Sequence, residues 1–347
     1  MLLRILAACS VVLAGCACPP APQLEFLGQH QLAHGATLDG TVVGGLSGIS
    51  YDAAADVYYL VSDDRSAINP ARFYTARISL SENGIDDVDM VATHPWLDRD
   101  GKPFRPMDAG AKPPVVPPDA EGIAFDARRH RLYWSSEGER RSDGVRLDPW
   151  VRIAGLDGDY LGEFPLPAQL RMSDGEHGAR RNHALEGLSL SPDGKYLWAA
   201  MEWPIYEDGA PPDQHHGASV RVTRFDVDSS RADAEFRYPL DAVSAGPGGD
   251  NGLSDLVALD DQSFLVIERG FGSHSVIRIY RAWVDGDALD KELLVDLTTV
   301  AGLDPLDNIE GITLGPKLAD GRQSVVLVSD DNFSPTQVTQ FLVFALA

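Results

Sequence analysis

A short motif occurs five times in the 347-residue chain. In each copy an apolar residue is followed by a serine or an acid, and then by a small or acidic residue. Each copy opens a segment of apolar and small residues that is typical of a half-buried strand. The copies are GLSGISYD (45–52), DAEGIAFD (119–126), ALEGLSLS (184–191), GLSDLVAL (252–259) and NIEGITLG (308–315). We align Ser47, Glu121, Glu186, Asp255 and Glu310, which lie 74, 65, 69 and 55 residues apart. Recurrence at this spacing predicts a repeat architecture.

Each motif is followed by a second and a third strand-like segment, and the first four by a weaker fourth. The last repeat ends before its fourth strand, and QLEFLGQHQL (23–32) near the N-terminus is a candidate to complete it. Four strands per repeat predict an all-β fold, a β-propeller. We count five four-stranded blades, with the ring closed by the N-terminal strand joining the C-terminal blade. Six blades remain the alternative if the proline-rich segment 95–118 hides one; we interpret that segment as a long loop.

The N-terminus, MLLRILAACSVVLAGCACPP, has a basic residue and an apolar stretch too short to span a bilayer as a helix. It predicts a signal peptide over 1–15. The sequence Leu-Ala-Gly-Cys resembles a bacterial lipobox, which would make Cys16 the lipidation site, with a plain signal peptide as the alternative. We therefore expect a lipidated N-terminus with the closing strand over 16–40 and a propeller domain over 41–347. The expected location is the bacterial cell envelope, as a periplasm-facing outer-membrane lipoprotein or a secreted protein.

Charge and cysteine content exclude some functions. The formal net charge is −23, and cleavage before Cys16 would remove one arginine and no acid, leaving −24. Such acidity argues against nucleic acid as a partner. The three cysteines, Cys9, Cys16 and Cys18, all lie in the leader or at its junction. The folded body therefore has no disulfide or thiol chemistry, and the only membrane contact we expect is the lipid anchor.

Carboxylates should converge at one end of the propeller. The first strand of each blade lines the central channel, so the five aligned residues would form a ring around its mouth. The second strand runs antiparallel, so the acid at its end should join the same face. These acids are Asp63, Glu137, Glu202, Glu268 and Asp330.

Carboxylates this close repel one another, so some must bind protons or a cation must sit among them. Oxygen ligands suit Ca²⁺, whereas zinc would need histidine or cysteine sets that these strands lack. We predict Glu121, Glu186, Asp255 and Glu310 as ligands of a bound Ca²⁺. The alternative is structural: the acids would accept hydrogen bonds from backbone amides and hold the blades together.

Other residues are candidates for proton transfer or substrate binding. His183 lies three residues before Glu186 and could act as a general acid or base, as could Glu137 and Glu202. Arginines near the strand ends could bind a phosphate or carboxylate, or could simply neutralise acidic neighbours. The predicted substrate-binding set is Ser47, Asp63, Arg65, Arg181, Glu268, Arg269 and Asp330. No Gly-x-Ser-x-Gly elbow, P-loop or His-Glu-x-x-His motif occurs.

The motifs resemble a known family. GLSGISYD…YYLVSDDR, DAEGIAFD, NHALEGLSLSPDGKYLW and NIEGITLGP…VLVSDDNF are similar, in this order, to the phytase-like family described as "esterase-like activity of phytase". The resemblance covers about residues 40–346 and implies an exported, often lipid-anchored propeller. More distantly, the Glu-Gly-Ile openings resemble gluconolactonase-type and paraoxonase-type propellers, in which inner-strand acids hold a catalytic Ca²⁺. Those families also use asparagine at ligand positions, whereas the aligned positions here hold acids and Ser47.

The sequence thus leads to two functional hypotheses. The first is a hydrolase that cleaves an ester or phosphoester of a small-molecule substrate with the help of a divalent cation. The second is a non-catalytic propeller of the cell envelope that binds a ligand or protein and carries structural calcium.

Overall fold

The computed structural model describes residues 23–81 and 84–347, so the predicted signal peptide and the lipidation site Cys16 lie outside the described residues. The strands are, in chain order, β1 Leu24–Gln31, β2 Thr37–Leu38, β3 Thr41–Val42, β4 Leu46–Asp52, β5 Val57–Ser62, β6 Arg72–Ser81, β7 Gly84–Pro95, β8 Ala120–Asp126, β9 Arg131–Ser136, β10 Glu139–Arg140, β11 Arg146–Leu147 and β12 Trp150–Ala154. They continue as β13 Tyr160–Phe164, β14 Leu185–Leu190, β15 Tyr196–Met201, β16 Ala218–Asp226, β17 Arg231–Leu240, β18 Gly252–Ala258, β19 Ser263–Gly270, β20 Val276–Asp285, β21 Ala288–Asp296, β22 Ile309–Lys317, β23 Gln323–Ser329 and β24 Gln340–Leu346. Three single turns of 3-10 helix cover Ala168–Leu170, Tyr206–Asp208 and Leu297–Thr299. No helix in this part of the chain is long and apolar enough to cross a membrane.

Twenty of these strands form five four-stranded units of repeated topology. The units are β4–β7, β8 with β9, β12 and β13, β14–β17, β18–β21, and β22–β24 with β1. The third and fourth units join into one eight-stranded sheet through a single bridge between Arg237 and Ala288. The first strands contact their neighbours in a closed order, β4, β8, β14, β18, β22 and back to β4. The molecule is therefore all-β and of the propeller type, with the first strands innermost.

The two ends of the described chain meet in one sheet. Strand β1 pairs antiparallel with β24, from Leu24 opposite Leu346 to Gln31 opposite Gln340. The pairing leaves β1 at the outer edge of the last unit, as the fourth strand that this unit lacked in the sequence. The segment between β7 and β8 has only isolated bridges, such as Leu97 with Pro103, and is a long loop.

The hydrophobic core lies between neighbouring units. One cluster of buried side chains joins Val61 and Phe73 of the first unit to Ile123 and Trp134 of the second. Trp96, from the loop after β7, stacks on Trp134 with ring centroids 4.5 Å apart. Burial of such large side chains stabilises each unit only in the presence of the next, because one face of each sheet needs a partner.

A β-bulge near the start of each innermost strand breaks the regular pairing. Pairing skips from Leu46 to Gly48 in the first unit and from Ile309 to Gly311 in the fifth, which leaves Ser47 and Glu310 as bulged residues. Glu121 and Glu186 lie in the corresponding bulges of β8 and β14. A bulge re-aims the side chains that it contains, so these three carboxylates turn toward the channel mouth.

The predicted register is wrong for Asp255. In β18 the pairing skips from Leu253 to Asp255, so Ser254 is the bulged residue and Asp255 stands one position later. The other four units have glycine at that later position. A Cβ on Gly122 would lie 2.5 Å from the carbonyl oxygen of Glu186, because adjacent first strands approach closely there.

Asp255 uses this position to join three units. Its Oδ1 accepts the N–H groups of Leu188 at 3.2 Å and Leu256 at 2.8 Å, and its Oδ2 accepts that of Ile312 at 2.9 Å. The side chain is 4% exposed. The carboxylate therefore ties β14, β18 and β22 together where the other units rely on glycine.

Candidate functional site

An acidic cavity of about 530 Å³ lies where the innermost strands begin. We call it the acidic cavity. Nine carboxylates line it, from Asp63, Asp119, Glu121, Glu137, Glu186, Glu202, Asp250, Glu310 and Asp330. A separate cavity of about 240 Å³ is lined mostly by apolar residues farther along the same strands, such as Ile123 and Leu188. The two share no lining residue, so the channel is strongly polar at one end and largely apolar at the other.

Strand ends and bulges position the carboxylates of the acidic cavity. Glu121, Glu186 and Glu310 come from bulges of first strands, whereas Glu137 and Glu202 directly follow second strands. Because first and second strands are antiparallel, the start of one lies beside the end of the other. Side chains far apart in sequence thus meet at one mouth.

Two of these carboxylates have no protein partner. Within the described residues, the side chains of Glu121 and Glu186 accept no hydrogen bond and form no ion pair, although Glu121 is only 9% exposed. The buried Oδ1 atoms of Asp63 and Asn308 also lack hydrogen-bond partners. Buried polar atoms are normally satisfied, so these oxygens are available to accept bonds from water or a ligand in the cavity.

Carboxylate oxygens of the acidic cavity form two groups with the spacing of metal ligands. Those of Asp119, Glu121 and Glu137 fall within 4.8 Å of one another, and so do those of Glu137, Glu186 and Glu202. Glu137 belongs to both groups. Its Oε1 accepts the N–H of Ala184, which fixes the carboxylate between the second and third units.

Burial and mutual repulsion raise the pKa of most of these carboxyls. Burial raises the pKa of Glu121 well above its usual value, and Glu186 and Asp119 add to the rise. Burial likewise raises the pKa of Glu186 and of Glu137, each with further contributions from neighbouring carboxylates. The pKa of Asp119 is raised to about 6, because burial raises it more than the nearby Arg65 guanidinium lowers it. The cavity therefore favours protons or cations.

Two arginines offset part of this charge. Arg65 pairs with Asp119 at 3.2 Å and with Glu139 at 2.7 Å. Arg269 pairs with Glu202 at 3.0 Å and lies 3.5 Å from Glu310. Both guanidinium groups thus face carboxylates of this chain.

His183 lies at the edge of the acidic cavity in a fixed orientation. Its Nδ1 lies 2.6 Å from Oε2 of Glu202, so in the neutral ring Nδ1–H donates and Nε2 is free to accept. The ring stacks on Trp203 with centroids 3.5 Å apart, and the indole Nε1 donates to the carbonyl of Asn251 at 3.0 Å. The loop before β14 and the loop after β15 meet here, where Arg180 stacks on Tyr206 at 4.1 Å.

Four predicted site residues lie outside the acidic cavity. Asp255 is engaged by backbone amides, as described above, and Ser47 is buried with an unpartnered hydroxyl. Arg181 is half-exposed and donates to Glu139 at 2.9 Å. Glu268 is 1% exposed and accepts hydrogen bonds from Tyr238, Asn251 and Lys291 in a satisfied buried network. The structure brings the other ten predicted side chains together.

Sequence reasoning missed several lining residues, including Asp119, Asn182, Asp250, Phe271 and Asn308. Asp119 and Asn308 each precede a bulge glutamate by two residues, and that shared spacing could have identified both. Phe271 is half-exposed in the loop after β19, and no pattern in the sequence marks it.

The fold and the acidic cavity define a propeller-type protein with a site on its channel. The chain belongs to the phytase-like family, whose model, described as "Esterase-like activity of phytase", matches residues 41–333. No curated protein matches the sequence significantly.

Several solved structures are similar to this chain at low sequence identity. Xylan β-1,4-xylosidase from Bacillus halodurans C-125 is 11% identical, with a TM-score of 0.50 over 86% of this chain and 52% of that protein. Exo-β-1,3-galactanase from Phanerochaete chrysosporium is 10% identical, with a TM-score of 0.51 over 92% and 64%. This chain thus spans less than two thirds of either protein. The periplasmic gluconolactonase of Pseudomonas aeruginosa is 12% identical, with a TM-score of 0.40 over 93% and 96%.

Proposed function

We propose that this chain is a hydrolase of an ester or phosphoester that uses a divalent cation held in the acidic cavity. The observation that carries the proposal is the pair Glu121 and Glu186, whose carboxylates line the cavity and have no hydrogen bond or ion pair among residues 23–81 and 84–347. The family description, "Esterase-like activity of phytase", supports the hydrolytic class. We further propose that the five units are five blades closed by β1.

The donor set suits a hard cation. The unpartnered atoms are carboxylate and amide oxygens, which Ca²⁺ prefers. Glu137 would hold the cation together with Asp119 and Glu121, or with Glu186 and Glu202, and Glu310 also lines the cavity. Asp255, the fourth predicted ligand, points to backbone amides instead and is left out of this set. When bound, the cation would polarise a substrate oxygen and lower the pKa of a water molecule.

The chain's own residues supply a proton-transfer group. His183 presents Nε2 while Glu202 holds Nδ1 and would stabilise the protonated ring. Trp203 keeps the ring in one plane. Arg269 pairs with Oε1 of Glu202 at 3.0 Å and would keep this carboxylate in position beside the ring. Among the described lining residues there is no serine, threonine or cysteine, so water is the expected nucleophile.

The charge of the cavity limits the substrate. A free phosphate or carboxylate would be repelled by the carboxylates, since Arg65 and Arg269 already face acids of the protein. A neutral ester or lactone avoids this repulsion, and a phosphoester would enter only with a cation bridging it to the protein. Asp63, Glu310 and Asp330 would contact such a cation-bridged group from the first and fifth units.

The test is hydrolysis by chelator-treated protein before and after Ca²⁺ is restored, on p-nitrophenyl acetate, a δ-lactone and p-nitrophenyl phosphate. We expect turnover only with the cation. The Glu121→Gln/Glu186→Gln variant should lose at least about 100-fold in kcat/KM while its circular dichroism spectrum is unchanged. Equal turnover by the variant would overturn the proposal.

The satisfied network of Glu268 and the amide bonds of Asp255 show that some repeated acids have structural partners, as the second hypothesis requires. Calcium binding without hydrolysis of any substrate would favour that hypothesis, a non-catalytic envelope propeller. Export, cleavage before Cys16 and lipid anchoring are also proposals. Loss of membrane association in a Cys16→Ala variant of the full chain would support them.

A further inference from the structure

Glu137 occupies a central place among the carboxylates of the acidic cavity. It is 2% exposed and belongs to both groups of oxygen atoms that lie within 4.8 Å of one another. One group extends toward the second unit, through Asp119 and Glu121, and the other toward the third, through Glu186 and Glu202. In the described chain no single group contains all five residues, so one small ion cannot reach them all.

The charge in the cavity exceeds what one divalent cation can offset. Nine lining carboxylates face two lining guanidinium groups, Arg65 and Arg269, which leaves an excess of seven formal negative charges if all are ionised. One divalent cation would leave five, and two would leave three. Each arginine, moreover, is shared with an acid outside the two groups, Glu139 and Glu310 respectively.

The two groups of carboxylates also have the same kinds of side-chain partner. Each group contains one carboxylate that has no side-chain partner in the described part of the chain, Glu121 in the first and Glu186 in the second. Glu121 is more than nine-tenths buried and lines the cavity. In each group another member is paired with an arginine, Asp119 with Arg65 and Glu202 with Arg269. The two halves therefore have the same composition: a free carboxylate, an arginine-paired carboxylate and the shared Glu137.

We propose that the acidic cavity binds two divalent cations that share Glu137, one held with Asp119 and Glu121 and the other with Glu186 and Glu202. A carboxylate has two oxygen atoms, and in two-metal hydrolytic sites the ions lie about 3.5–4 Å apart. This inference rests on the proposed function, because it assumes that the cavity binds a cation at all. It adds the number of ions and the residue that joins them.

The test counts bound ions. Full-length, chelator-treated protein is titrated with Ca²⁺ by calorimetry at pH 7.5, and bound ions are counted by native mass spectrometry. We expect two ions per chain. Glu121→Gln should weaken one site at least about 10-fold, Glu186→Gln the other, and Glu137→Gln both. The control is Asp290→Asn, an exposed acid of β21, which should still bind two ions.

The outcomes separate the two claims. No bound Ca²⁺ would overturn the proposed cation and with it the two-ion site. One ion, lost equally in Glu121→Gln and Glu186→Gln, would keep the proposed function and overturn the second ion. Two ions that survive Glu137→Gln would overturn the sharing. If Glu137→Gln does not fold, the other two variants still decide the number of sites, because each should lose a different ion.

Discussion

The junction at Asp255 allows a stability prediction worked from its geometry. Asparagine has nearly the same shape but only one acceptor oxygen. That oxygen can keep the N–H groups of Leu188 and Leu256, which both bond Oδ1, whereas the new NH₂ would face the N–H of Ile312. A buried donor left unsatisfied costs about 1–3 kcal/mol. We therefore expect Asp255→Asn to lower the free energy of unfolding by about 2–3 kcal/mol.

Asp255→Ala should cost more. All three N–H groups would lose their acceptor, and the same estimate gives about 3–6 kcal/mol, less if water enters. The measurement is guanidinium unfolding followed by tryptophan fluorescence, with the free energy extrapolated to water. Asp290→Asn is the matched control, because this side chain is exposed and makes no hydrogen bond or ion pair in the described chain. It should lie within about 0.5 kcal/mol of the wild type.

The reasoning would be refuted if Asp255→Asn were as stable as the Asp290→Asn control. That result would mean that the three amides find other acceptors or that the ring of first strands does not depend on this carboxylate. Burial raises the pKa of Asp255, while the three N–H bonds oppose that rise. A neutral effect of the Asn variant would therefore also imply that the native side chain carries a proton.

Two further predictions concern the acidic cavity and the strands that frame it. The pKa of Glu121 is raised in the folded chain, and that of Asp119 is about 6, whereas the unfolded chain loses these protons above about pH 4. The folded chain therefore holds more protons than the unfolded chain, and cation-free protein should become less stable from pH 5 to 7.5. Added Ca²⁺ should restore stability at pH 7.5, and thermal melts would contradict this if stability were flat or rose with pH without the cation. Gly122→Ala places a Cβ 2.5 Å from the backbone oxygen of Glu186 and should lower the free energy of unfolding by about 2 kcal/mol or more, measured by chemical unfolding. In the control Gly110→Ala the nearest atom to the new Cβ is 3.5 Å away, and the loss should be under about 1 kcal/mol. Equal effects of the two would contradict the close approach.

Much of the architecture could be predicted because short sequence repeats mark the strands of each unit. The five motif copies begin the innermost strands β4, β8, β14, β18 and β22 within one residue of the expected positions. The segment 23–32 was expected to supply a closing strand, and β1 does pair with β24. These features depend on period-2 patterning and turn residues, which neighbouring residues determine.

The errors arise where the environment is set by distant residues. Ser254 and Asp255 are both polar, and we aligned the acid; the Gly-Leu-Ser shared by 45–47 and 252–254 favours Ser254, which the pairing of β18 with β19 places in the bulge. Glu268 follows the same strand pattern as Glu137 and Glu202, but Tyr238 and Lys291 come from β17 and β21 and enclose it. Those contacts depend on how the fourth strands pack, which no repeat motif encodes.

The most direct test of the account is a crystal structure of the full chain grown with Mn²⁺ at pH 7.5 and measured for anomalous scattering. The account predicts anomalous density in the acidic cavity beside Glu137, bounded by Glu121 and Glu186. Well-ordered carboxylates in the cavity with no anomalous density near them would contradict the claim that this site binds a divalent cation.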